Sequence, residues 1–244
     1  MLDWLPILWV STIAGFSTTL GSILVLLFGR PQERVLATLL AGAGGVMLAV
    51  VALDLLPSAW LIGPLKHVIL GFIIGLLLMK LADTRLNSSA STLTLSRQQR
   101  LKRIGFLVAA GIALHDLPEG MAIAIGQEAT GELGFLIALA ITLHNLPEGM
   151  ATTAPLKMAN MKTWKILLLN MGIAFFTPLG ALIGLLALDL VENSLSFFLA
   201  LAGGAMSFLV FAELWPLSRE RHPYYALFGA VIGFLFFAAL SYLH

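Results

Sequence analysis

The chain has 244 residues, of which 59% are hydrophobic and 11% charged, with a formal net charge of +1; its mean hydropathy is +0.96. Those values exclude a soluble globular domain. No basic patch points to nucleic acid, and the absence of cysteine removes disulfides and thiolate metal ligands.

A membrane-spanning helix needs about 20 mostly apolar residues. By that measure the fold class is an all-α integral membrane protein with eight transmembrane helices. They fall near 5–28, 35–56, 62–82, 104–126, 132–156, 163–187, 195–217 and 223–242, in a single transmembrane domain, 1–244. The start, Met1 to Trp4, has no basic region and reads as a retained N-terminus rather than a cleavable signal. The long connector, 83–103, is rich in Ser, Thr and Gln and reads as a cytoplasmic linker.

Charge placement orients these spans. Arg30, Arg34, Lys80, Arg85, Arg97, Arg100, Lys102, Arg103, Lys157, Lys162, Lys165, Arg219 and Arg221 all fall at the odd-numbered loops. The opposite side has only Lys66, together with Asp3, Glu128, Glu132, Asp189 and Glu192. Lys and Arg stay cytoplasmic, so both termini are expected outside. The setting expected is a prokaryotic inner (plasma) membrane.

An internal repeat runs through the spans. Gly44, Gly45, Met47, Asp54 and Pro57 match Gly203, Gly204, Met206, Glu213 and Pro216 at an offset of 159, as do Thr18 and Gly21 with Thr177 and Gly180. Spans 1–3 thus resemble spans 6–8, with two spans between them. The two halves are therefore expected in opposite orientations, a 3+2+3 inverted-repeat arrangement. Such repeats are a signature of alternating-access transporters with a site near the midplane.

Spans 4 and 5 each carry one copy of a polar motif: His115-Asp-Leu-Pro-Glu-Gly120 and His144-Asn-Leu-Pro-Glu-Gly149. Ionisable residues inside a membrane are costly and mark functional positions. Residues four apart on a helix lie about 40° apart, so His115 shares a face with Glu119, and His144 with Glu148. Asp116 and Asn145 sit beside them. Pro118 and Pro147 are expected to kink their helices and free the carbonyls of Leu114 and Leu143. Imidazoles with carboxylates suit Zn²⁺, Fe²⁺, Mn²⁺, Co²⁺, Ni²⁺ or Cd²⁺ better than Mg²⁺ or Ca²⁺. Asp54 is expected as an entrance ligand near the outer mouth and Glu213 as an exit ligand near the inner mouth.

On these residues the chain resembles the ZIP (Zrt-/Irt-like) divalent-metal transporters, in particular the bacterial GufA-like branch. The resemblance covers essentially the whole length. It implies a binuclear site between spans 4 and 5. One position would use His115, Glu119, His144 and Glu148; its neighbour would use Asp116 and Asn145, bridged by the two Glu. It also implies a methionine near the metal, matching Met47, and inward, elevator-like movement. Two departures stand out: Thr177 replaces an acid before Pro178, and the pair Asp116 and Asn145 replaces the more usual Asn followed by Asp, or Asn twice.

The expected function is uptake of divalent transition metal by alternating access, with zinc foremost and iron, manganese or cadmium next. The metal is the transported substrate; no cofactor is expected. The expected partners are divalent metal ions and the lipid bilayer, with a homodimer as a candidate assembly and no nucleic acid. The competing readings are an intramembrane metal-dependent hydrolase, which lacks an HExxH motif here, and a proton-coupled carrier of an organic solute. The protein is not expected to be an enzyme.

Overall fold

The computed structural model describes residues 4–29, 31–87, 96–129, 131–186 and 195–241. Arg30, Asp3, Asp189, Glu192 and both chain ends lie outside the described residues, as does the side chain of Glu128. Described residues form helices and no strand: α1 (Trp4–Phe28), α2 (Glu33–Val50), α3 (Leu56–Ile62), α4 (Leu65–Asn87), α5 (Arg97–Ala129), α6 (Gly131–Met158), α7 (Thr163–Ala174), α8 (Phe176–Leu186), α9 (Leu195–Leu209), α10 (Trp215–Arg221) and α11 (Pro223–Ser241). An all-helical chain follows from its composition, because lipid offers no partner for a backbone N–H or C=O.

Six helical stretches among the described residues are long and apolar enough to cross a membrane: Trp4–Phe28, Glu33–Ile62, Leu65–Arg85, Arg97–Gln127, Thr163–Leu186 and Ser196–Arg221. A shorter apolar helix covers Pro223–Ala239. Helix α6 has 28 residues, but His144, Asn145, Glu148 and its terminal charges dilute its apolar character. Large apolar side chains such as Leu27, Leu61, Leu77 and Phe236 point outward, as in a protein whose solvent is lipid.

Two turns of π-helix interrupt these stretches. One, Val51–Leu55, joins α2 to α3; the other, Val210–Leu214, joins α9 to α10. Each precedes a proline, Pro57 or Pro216, in the first turn of the next helix. A proline cannot donate to the carbonyl four residues back and its ring crowds that carbonyl. The wider π turn accommodates both effects, and such turns recur at functional sites. Asp54 and Glu213 sit within them, so the matched acid and proline noted in the sequence fall on the same local structure. By contrast, α5 runs on through Pro118 and α6 through Pro147 and Pro155. The helices are thus interrupted before Pro57 and Pro216, and at Phe175 three residues before Pro178, but not at the motif prolines.

The connector is shorter than 83–103. Helix α4 continues to Asn87 and α5 begins at Arg97. A reciprocal cap starts α5: the Gln99 N–H donates to Ser96 Oγ at 3.3 Å, and the Ser96 N–H donates to Gln99 Oε1 at 2.8 Å. This is the capping box, which satisfies two orphan donors at once.

Packing sorts the helices into two bundles. In the first, α1 lies along α6 and against α7 and α8, while α5 packs on α6 and α8. In the second, α2 lies along α11 and α4 along α9. The bundles meet where α9 crosses α5 and α2 crosses α6. Glycines set the spacing within the first bundle. A Cβ on Gly149 of α6 would overlap the carbonyl of Thr18 on α1, and one on Gly120 of α5 would overlap the carbonyl of Thr177 on α8. Gly21 and Gly180 meet the carbonyls of Leu146 and Leu117 in the same way. Small residues allow this close approach, which in lipid replaces the hydrophobic drive for packing.

Candidate functional site

The two polar motifs lie on α5 and α6, adjacent helices of the first bundle. All six residues His115, Asp116, Glu119, His144, Asn145 and Glu148 are at most 2% exposed. The glycine seams hold α5 against α8 and α6 against α1, so the motif faces are turned toward each other and toward the second bundle.

The imidazoles pair crosswise. His115 Nε2 lies 3.2 Å from Glu148 Oε2, and His144 Nε2 lies 3.1 Å from Glu119 Oε1. Each helix thus supplies one imidazole to the other helix's carboxylate. His115 Nε2 is also 3.7 Å from Asp116 Oδ1. The ligating atoms of His115, Asp116 and Glu119 fall within 4.8 Å of one another. Asp116, which the resemblance assigns to the neighbouring position, therefore stands close to His115 and Glu119 as well.

One hydrogen bond fixes the chemistry of His115. Its Nδ1 is 2.9 Å from the carbonyl of Gly111, which can only accept, so Nδ1 carries the proton. In a neutral ring, Nε2 then presents a lone pair toward the Glu148 carboxylate. Two electron-rich atoms face each other, and only a proton or a metal cation between them makes the arrangement favourable. Orienting one ring nitrogen to free the other is the usual second-shell device of metal-binding histidines.

Orphaned polar atoms surround the pair. Glu119 Oε2, Glu148 Oε1, His144 Nδ1 and Asn145 Oδ1 are buried without a hydrogen-bond partner. Buried charges left unpaired cost several kcal/mol each, so this density of free ligand atoms fits a cation-binding centre. The Asn145 amide donates to the carbonyl of Ala14 at 3.2 Å, which leaves its oxygen free. Thr177 neighbours Asp116 with a neutral hydroxyl.

A cavity of about 380 Å³ leads away from this centre between the two bundles. Glu119 and His144 form its inner end; Asp54, Ser58 and Ile62 line it farther out, with Ala122, Ile137 and Leu199 on its walls. Ser58 Oγ donates to Asp54 Oδ1 at 3.3 Å. Asp54 therefore shares a space with the polar centre, whereas Glu213 does not. Glu213 borders a separate cavity of about 300 Å³ with Arg100, Arg103, Glu220 and Arg221. Leu209, Leu214, Ile104, Val108 and Ile112 belong to one buried apolar cluster. Met47 is fully buried in the same cluster.

Sequence reasoning did not identify Gly111 and Ala14, whose carbonyls orient His115 and Asn145. Gly111 lies four residues before His115 on one helix, a spacing that could have flagged it. Ala14 is remote in sequence and only tertiary packing brings it to Asn145.

Helices, apolar outside and carrying a buried His and carboxylate centre with a cavity leading to it, define an integral membrane protein with a polar centre inside its helices. Its relatives agree. The ZIP zinc transporter family model matches residues 82–241. The zinc transporter ZupT of Chlorobium limicola is 32% identical, covering 96% of this chain and 96% of its own. That of Chlorobium luteolum is 33% identical over 100% of this chain and 99% of its own, and that of Streptococcus mutans 29% identical over 94% of each. The chain belongs to the ZIP family. That family is one of transporters rather than enzymes, so the intramembrane hydrolase reading falls away.

Proposed function

We propose that this protein carries divalent transition metal, zinc foremost, across the membrane into the cytoplasm, and that the paired motifs bind the ion in transit. One observation carries this reading: His115 Nε2, with its ring proton committed to Gly111, faces the carboxylate of Glu148 at 3.2 Å. A divalent cation there would be held by His115, Glu119, His144 and Glu148, with Asp116 and Asn145 serving a neighbouring position. Iron, manganese and cadmium suit the same donor set. The zinc-transporter names of the relatives favour zinc.

The path runs from outer water past Asp54 to the midplane, and from there past Glu213 to the cytoplasm. The ion trades its hydration shell for imidazole and carboxylate ligands on the way. One bundle then slides against the other and exposes the site on the inner side. Eight spans, both termini outside and a 3+2+3 inverted repeat complete this reading. The recurrence of the π turn at residues 51 and 210, an offset of 159, supports the repeat.

The test is zinc uptake into vesicles containing the purified protein and a trapped fluorescent zinc indicator. Transport should saturate with zinc and be inhibited by cadmium. Vesicles that accumulate no divalent metal above protein-free controls would refute the reading.

A further inference from the structure

Arg97 and Arg103 both lie on the first turns of α5, in the first bundle, and both reach across to the second. Arg103 is 3.1 Å from Asp83 of α4 and 3.7 Å from Glu213 in the second π turn. Arg97 pairs with Glu33 at the start of α2, and Glu33 also accepts from Arg221 of α10 at 2.9 Å. These links sit together at the basic end of the molecule. At the other end, the cavity past Asp54 stands open to Glu119 and His144.

The links are unequal. The Arg97 and Glu33 side chains are 64% and 40% exposed, and such surface pairs contribute little. The Arg103 side chain is 23% exposed, with Asp83 at 20% and Glu213 at 14%. Its charge acts through a poorer dielectric and is less screened by salt. Its position is also mechanically decisive. Any sliding of α5 along α4 and α9 must pull the guanidinium away from two carboxylates on the other bundle.

We propose that Arg103 is a positioning residue for transport: a tethered cation that holds Glu213 and locks the two bundles together at the cytoplasmic end while the site is open to the outside. Release of Arg103 frees the Glu213 carboxylate in the same movement that exposes the site inside. Glu213 thus trades a tethered monovalent cation for the departing metal. Arg97 is an auxiliary tie of smaller effect. This inference rests on the transport reading above.

The absence of cysteine in the chain makes the test clean. Ala122, on the wall of the outer cavity, is replaced by Cys as a reporter, and outside-facing vesicles are labelled with a membrane-impermeant maleimide. The labelling rate follows the population of the outward-open state. Arg103→Gln should lower that rate by about threefold or more, and Arg103→Lys should restore most of it. Arg97→Gln should change it by less than Arg103→Gln does. Asp83→Asn, which removes one of the two partners, should lower the rate to an intermediate value and serves if Arg103→Gln fails to fold. A rate unchanged by both Arg103→Gln and Asp83→Asn in folded protein would overturn the proposal, as would an equal loss in Arg103→Lys and Arg103→Gln. Zinc uptake by the parent protein is read separately: its failure refutes the transport reading, whereas unchanged labelling refutes only the role of Arg103.

Discussion

His115 meets Glu148 of the neighbouring helix at 3.2 Å rather than closing on Glu119 one turn along its own. His144 and Glu119 repeat the relation in the other direction at 3.1 Å. The polar centre is therefore interhelical: each motif copy lends its imidazole to the carboxylate of the other. Glu119→Ala or Glu148→Ala removes a carboxylate and leaves the imidazole of the other helix facing empty space. Uptake should fall by about tenfold or more, since even losing a supporting partner of a metal ligand costs 10- to 100-fold. Size-exclusion profile and thermal unfolding should stay close to the parent. Normal uptake by either variant would show that the metal passes elsewhere.

Thr177 supplies a buried hydroxyl beside Asp116, at the position where the family resemblance implies an acid. Thr177→Glu should add a negative ligand and strengthen metal at the neighbouring position. Metal analysis of the purified variant should show more ion retained per chain after dialysis. Unchanged stoichiometry and affinity would remove Thr177 from the account of that position.

Asp54 lines the cavity that ends at Glu119 and His144, without being among the motif residues. In the proposed role of entrance ligand, its carboxylate would concentrate cations at the mouth rather than hold them at the centre. Asp54→Asn should raise the KM for zinc by about threefold or more, because charge in a low-dielectric cleft raises local counter-ion concentration. The maximal rate should change little. A lost maximal rate with unchanged KM would place Asp54 in the transport step itself.

Gly149 and Gly120 let α6 and α5 approach the backbones of α1 and α8 until a methyl group has no room. Gly149→Leu or Gly120→Leu should destabilise the folded protein by at least the 1–3 kcal/mol typical of overpacking, seen as a lower Tm in detergent. Zinc binding should weaken with it, since the seam sets where Glu148 and Glu119 stand. A variant with parent-like Tm would mean that the seam can open without cost.

Much of this was legible from residue order. Both histidine motifs, Asp54 and the matching Glu213 stand out as polar residues in apolar surroundings, where each is costly. The fold class follows from composition for the same reason. Three things escaped. The π turns at 51–55 and 210–214 leave no hydropathy signature, because a wider turn changes backbone geometry and not residue type; the prolines at 118 and 147 drew attention in their place. The crosswise pairing of His115 with Glu148 depends on how two helices rotate about their axes, and a single-helix projection shows only the His115 and Glu119 face. The start of α5 was readable: Ser96 followed by Gln99 has the spacing of a capping box, but the polar composition around it resembled a linker.

The two backbone seams, Gly149 with Thr18 and Gly120 with Thr177, set α6 tightly on α1 and α5 tightly on α8. His115 belongs to one of these pairs and Glu148 to the other, so their 3.2 Å spacing is set by how the two pairs stand against each other. On the transport reading proposed above, an ion between those side chains would feel any shift of one pair past the other, and adding bulk at either seam would alter its ligands from a distance.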